Sequence, residues 1–298
     1  MRYALIDVIR TIAIIFLLTG HIAAQLGNYL AITFIYIGDI YAAGIHQFAV
    51  TIFIILSGIV LGIKYQDIKI SFMKFMGRRL IRIYSVYLIA VIVGVGMYYI
   101  LHGSFSNIPG SHFICTISGF CGYIGQGGGP FVSTGWFIGT ILALYTLFPV
   151  ILLLMKKNKH LTLFLLLLVS LIARLYFSQA LISPIYELEW HPFSRIFEFG
   201  LGIYLALIIS KERWRILNRH QQTGRVFNFL AQISFPLFLI HGSFYFVLHN
   251  LTDSGVPAIF AIALYLLICL LVSWAMLKIS IKLRKTSESG HANRQELT

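Results

Sequence analysis

Eight apolar runs, each about as long as a bilayer is thick, divide this chain and restrict what it can fold into. They cover residues 4–24, 44–63, 80–101, 134–155, 161–182, 193–210, 226–248 and 257–279. About 20 apolar residues in a helix cross the hydrocarbon core, where the backbone must satisfy its own hydrogen bonds and an α-helix does so within one segment. The expected fold is all-α: a polytopic transmembrane helix bundle of about eight helices. Only 11% of the 298 residues are charged, against roughly 25% in soluble domains, so no water-soluble core is to be sought.

The formal net charge of +13 would raise nucleic acid as a partner in a soluble protein. Here the cations have another use. Lys64, Lys69, Lys74, Arg78, Arg79 and Arg82 fall in one gap, and Lys156, Lys157 and Lys159 in another. Lys211, Arg213, Arg215, Arg219 and Arg225 form a third group, and Lys278, Lys282, Arg284 and Lys285 a fourth. The alternate gaps, 25–45, 102–133, 183–192 and 249–256, hold no Lys or Arg. That asymmetry is the positive-inside pattern, and eight crossings then place both termini in the cytoplasm. The partners implied are membrane lipid and no nucleic acid. The first run lacks a small-residue cleavage site and reads as a mature helix rather than a signal peptide. Residues 1–284 form one integral membrane domain, followed by a polar cytoplasmic tail, 285–298, expected to be disordered.

Cys269 lies in the last run and reads as a packing residue. Cys115 and Cys121 share an outer loop, where an oxidising compartment either joins them or leaves two partly buried thiols. With neither CxxC nor HExxH in the chain, no metal site is readable. The glycines of GFCGYIGQGGGPFVSTGW lack the GK[ST] ending of a phosphate loop, leaving a flexible outer loop or a re-entrant segment beside a pocket.

Ionisable residues inside apolar runs carry the functional signal, since a charge at mid-bilayer costs roughly 2.5–3.5 kcal/mol even on the forgiving insertion scale. The first run, DVIRTIAIIFLLTGH, holds Asp7, Arg10 and His21. An offset of eleven returns to within about 20° of the same face and separates Arg10 from His21 by about 16 Å along the axis. Asp7 is spaced to pair with Arg10. The plain alternative is snorkelling by Arg10 and a carbonyl bond from His21. In GRRLIRIYSVY, Arg79 and Arg82 are helical neighbours, suited either to anchoring in anionic headgroups or to cradling phosphates. Further on lie Arg174, then Arg195 and Glu198 at pairing distance in SRIFEFGLG, and His241 in ISFPLFLIHG. A structural salt bridge serves Arg195 and Glu198 as well as chemistry does. A lone histidine such as His241 is more often a satisfied core group. Trp136 and Tyr145 read equally well as interfacial and packing aromatics. The HxxxD of His249 and Asp253 is discounted, because it sits in a short outer loop.

In order along the chain, these pieces resemble the acyltransferase 3 family of polytopic membrane enzymes. Arg10 and His21 match its R-x10-H pair, TIFIILSGIVLG its second-helix segment around Ser57 and Gly58, and Arg79 and Arg82 its RxxR element. WFIGTILALYTLFP, RIFEFGLG and ISFPLFLIHG are similar to its later landmarks. The resemblance implies transfer of an acyl group, commonly acetyl, from cytoplasmic acyl-CoA to a hydroxyl of a cell-surface carbohydrate or lipid-linked glycan, in a bacterial-type inner membrane. Many members carry ten helices, the alternative to the eight counted here, and many carry a fused extracytoplasmic domain absent from these residues. On this reading Arg79 and Arg82 hold the CoA phosphates and Arg10 guides the pantetheine arm. His21 is the general base, with Glu198 or another outer carboxylate orienting its imidazole. The competing class is a transporter or flippase lined by the same charges, which would call for inverted repeats and matching broken helices; neither is visible.

Overall fold

The computed structural model describes residues 3–27, 33–37, 41–124, 128–178, 190–209, 212–214 and 224–295, with backbone alone given for 33–37, 41–44, 124, 177–178 and 285–295. It is a helical bundle. The helices are α1 (Ala4–Gln25), α2 (Ile45–Tyr65), α3 (Phe72–His102), α4 (Gly110–Ser118), α5 (Trp136–Lys157), α6 (Lys159–Ser178), α7 (Ile196–Ile208), α8 (Arg225–Ile240), α9 (Tyr245–Asp253) and α10 (Ala258–Gln295). A two-stranded antiparallel hairpin, β1 (Thr33–Ile37) and β2 (Tyr41–Gly44), links α1 to α2.

Among the described residues, seven segments are long and apolar enough to cross a membrane: α1, α2, α3, α5, α6, the pair α8–α9, and α10 as far as Arg284. The remaining run, expected at 193–210, forms a 3-10 turn (Pro192–Arg195) followed by the 13 residues of α7. Proline at the start of that turn shortens it: the pyrrolidine ring fits a first helical position but cannot continue a helix backwards. α3 starts at Phe72, ahead of the expected residue 80, because hydropathy marks where lipid begins whereas a helix carries on through its own basic end. Residues 179–182 of the fifth run lie outside the described residues. The helical backbone of α10 continues to Gln295, past the start of the polar tail at Lys285.

Large apolar side chains point outward on several helices, Ile92, Ile100, Leu153, Ile172 and Ile259 among them. In water that surface would drive association; around a bundle it is the lipid-facing belt. Helices α6 and α10 are peripheral, while α2 and α5 are largely enclosed. Small residues draw α2 and α7 together. A Cβ on Gly58 would collide with the Phe199 carbonyl, and one on Gly202 with the Ile55 carbonyl. Those two backbones are in contact, as membrane helices with facing glycines allow. Similarly, a Cβ on Gly20 would sit 2.5 Å from Ile45 Cγ2 and 3.0 Å from the His46 nitrogen. The glycine before His21 therefore lets α1 approach the start of α2.

Cys115 and Cys121 are joined by a disulfide that ties the end of α4 to the 3-10 turn after it. The second half of the glycine-rich loop is packed, not flexible. Phe131, Val132 and Thr134 are buried, and the Thr134 hydroxyl donates to the Leu239 carbonyl.

Candidate active site

Two polar clusters lie along α1, one toward each end, and an aromatic wall stands between them. The first is a cavity of about 510 Å³ lined from α1, α2, α3, α5, α8 and α10. Four guanidinium groups line it, from Arg10, Arg79, Arg82 and Arg284, against one carboxylate, Asp7. Asp7 lies 3.6 Å from Arg10, one turn away on α1, as the spacing requires. Next to it, the buried Thr11 hydroxyl faces the Asp7 carbonyl at 2.9 Å and the Phe227 carbonyl at 3.2 Å, which fixes α1 against α8. Arg79 is buried, with its guanidinium over the rings of Phe75 and Tyr145 at 5.5 and 5.8 Å. Its Nε has no hydrogen-bond partner among the described residues. A buried charged donor without a partner is costly, so a cavity lined by such a group is suited to an anion.

Two helices interrupt their hydrogen-bond ladders at this cavity. Pro149 in α5 and Pro236 in α8 have no N–H, so the carbonyls four residues earlier, on Tyr145 and Gln232, lose their usual helical donor. Tyr145 and Gln232 both line the cavity.

Phe53, Phe137 and Phe238 line the cavity, and the Phe238 ring lies 6.3 Å from that of His241. Phe238 packs edge-on against Phe53 at 6.2 Å and Phe137 at 4.9 Å between ring centroids. One turn beyond Phe238 is the second cluster. The His21 ring lies 4.7 Å from that of His46, at the start of α2, and 5.0 Å from that of His241. Tyr245 borders it at 6.4 Å from His21. His241 begins the 3-10 turn His241–Phe244 that separates α8 from α9, and its Nδ1 is 2.7 Å from the Phe238 carbonyl. A short 3-10 stretch inside a membrane span is a departure that recurs at functional sites.

Of the residues singled out in the sequence, the structure thus brings Arg10, Arg79 and Arg82 to one cavity and sets His21 beyond its phenylalanines. Glu198 is elsewhere. Its Oε1 accepts from Arg174 at 2.9 Å and from Arg195 at 3.4 Å, and its Oε2 has no hydrogen-bond partner among the described residues, so neither oxygen bonds His21. Arg195 also donates to the Thr51 hydroxyl on α2, and Arg174 to the Ser194 carbonyl. The result is a buried ionic tie across α2, α6 and α7. His249 is exposed and bonded to Gln25, as expected of a surface residue.

His46 and Arg284 were not among the sequence candidates. Arg284 stands in the basic group that closes the last span, on the side of the bundle shared by the RLIR arginines, and that shared side was the available signal. His46 heads α2 with nothing local to mark it. Its relation to His21 depends on the close approach at Gly20.

The family model for the acyltransferase domain, Acyl_transf_3, matches residues 3–220. The match takes in Arg10, His21, Arg79 and Arg82 and ends before His241 and Arg284. No curated protein and no solved structure matches the chain significantly.

Proposed function

This chain belongs to the acyltransferase 3 family and is a multi-pass membrane acyltransferase, and from that premise we propose that it moves an acyl group, acetyl as the simplest, from cytoplasmic acyl-CoA to a hydroxyl of a cell-surface carbohydrate or lipid-linked glycan. The observation that carries the reading is the four-arginine cavity ending one helical turn from a histidine cluster. Guanidinium groups match phosphate oxygens in geometry and charge, and CoA bears a diphosphate and a ribose phosphate. Arg79, Arg82 and Arg284 hold the phosphates at the basic mouth. Arg10 guides the pantetheine arm toward the phenylalanines, beyond which the thioester meets His21.

His21 acts as general base. The acceptor oxygen attacks the thioester carbonyl carbon as its proton passes to the imidazole. The carbon–sulfur bond then breaks, and the thiolate takes that proton and leaves as CoA thiol. Orientation follows from charge: the arginine mouth lies with the Lys/Arg-rich gaps and faces the cytoplasm, with both termini on that side. The disulfide of Cys115 and Cys121, in a gap without Lys or Arg, fits an oxidising outer compartment.

The test is transfer of radiolabelled acetyl from acetyl-CoA, by purified protein in proteoliposomes, to a surface-glycan extract. Label in the glycan supports the reading. Movement of glycan across the bilayer with no label incorporated would replace it with a flippase.

A further inference from the structure

We propose that His241 is the positioning residue for His21, holding its imidazole through a histidine-to-histidine hydrogen bond in the place where a carboxylate would otherwise serve. The inference deepens the acyl-transfer reading and rests on it. A carbonyl oxygen can only accept, so the 2.7 Å contact with the Phe238 carbonyl means that His241 Nδ1 carries a proton; the side chain is buried with no carboxylate bonded to it among the described residues, which disfavours a second proton and leaves Nε2 its lone pair. His241 is therefore a neutral imidazole of fixed tautomer with one acceptor to offer.

The spacing suits that acceptor. Two imidazoles joined by one N–H···N bond of about 2.9 Å have ring centroids about 5 Å apart, and His21 and His241 are 5.0 Å apart. The two rings are neighbours without a hydrogen bond between them as they stand, and catalytic hydrogen bonds commonly tighten only once substrate is seated. With its one N–H given to His241 Nε2, His21 presents its other nitrogen, lone pair outward, to the acceptor hydroxyl. The logic is that of a triad's third member, which sets tautomer and orientation without touching substrate.

The surroundings hold His241 still. The Tyr265 hydroxyl donates to the His241 carbonyl at 3.1 Å, and Tyr265 is buried. The Thr134 hydroxyl secures Leu239, two residues before, and Ser133 packs against Gly242, the residue after. His46, the other neighbour of His21, does not offer the same service. Its Nδ1 is buried without a hydrogen-bond partner among the described residues, so none of them sets its tautomer through that nitrogen. Glu198 is excluded by its engagement with Arg174 and Arg195.

The experiment compares kcat and KM for acetyl-CoA in the wild type, His241→Leu and His241→Gln, with surface-glycan extract as acceptor. Loss of an orienting partner of a general base should lower kcat about 100-fold in His241→Leu and leave KM within about 2-fold. Glutamine can donate to the Phe238 carbonyl and accept from His21 at once, so His241→Gln should recover about 10-fold of that loss. Should the leucine variant fail to fold, His241→Asn, one methylene short of His21, takes its place and should show the same kcat deficit. Equal rates in the glutamine and leucine or asparagine variants, or a rise in KM with kcat unchanged, would overturn the positioning role alone. An inactive wild type that nonetheless binds acetyl-CoA would overturn the acyl-transfer reading beneath it.

Discussion

Replacing Glu198 by alanine removes the only carboxylate that bridges Arg174 and Arg195 among the described residues and leaves both guanidiniums in place. Arg195 is 0% and Arg174 7% exposed, so water cannot take over the missing charge. Deleting one partner of a buried ion pair costs up to about 3–5 kcal/mol. In a chain of this size that corresponds to a fall in Tm on the order of 10 °C. Glu198→Gln keeps a carbonyl acceptor for Arg174 but no charge, and should fall between wild type and alanine. Thermal unfolding of the purified variants in detergent gives the stabilities, and acyl transfer per folded molecule gives the chemistry. The structural role requires that Tm drops in both variants and that kcat, corrected for folded fraction, stays within about 3-fold of wild type. A Glu198→Gln protein with wild-type Tm and a 100-fold lower kcat, on the order expected for a lost acid–base group, would refute the argument and return Glu198 to the reaction centre.

Arg284→Ala should raise KM for acetyl-CoA by roughly 10-fold or more, since a charge-assisted hydrogen bond contributes roughly 1.5–3 kcal/mol. The same variant should handle acetyl-pantetheine, which lacks the nucleotide phosphates, as the wild type does; steady-state kinetics with both donors decides it. Gly58→Ala meets the Phe199 carbonyl with no flexible side chain to yield, so it should destabilise by at least the roughly 1–3 kcal/mol of ordinary overpacking, read as a lower Tm. Reducing the Cys115–Cys121 disulfide should cost roughly 2 kcal/mol on the chain-entropy estimate for so short a loop. Unfolding with and without dithiothreitol measures it, and an unchanged Tm would contradict it.

How much of this was legible in the sequence depends on the distance over which the information is encoded. Arg10 and His21 sit on one helix, so the 3.6-residue period placed them on one stripe, and one lines the cavity while the other joins the histidine cluster. Arg79 and Arg82 were readable for the same reason. Glu198 shows the limit. Its local partner Arg195, three residues away, was evident from spacing, but Arg174 arrives from α6 and converts the pair into a three-helix tie. His46 and Arg284 reach the site only through helix packing set by Gly20 and by the docking of α10, which no local pattern records. α7 was the hardest element to read: its hydropathy matches that of a full span, while Pro192 and the facing glycines of α2 make it short and enclosed.

The central claim is that acyl-CoA bound among the arginines delivers its acyl group at His21. One comparison tests it most directly: wild type and His21→Ala, each in proteoliposomes with radiolabelled acetyl-CoA and surface-glycan extract, with binding of CoA measured on the same preparations. The account predicts that His21→Ala binds CoA within about 2-fold of wild type yet loses transfer by a factor of 100 or more, the order of a general base's contribution. A His21→Ala protein that labels the glycan at the wild-type rate, or one whose transfer falls only in proportion to lost CoA binding, would contradict it.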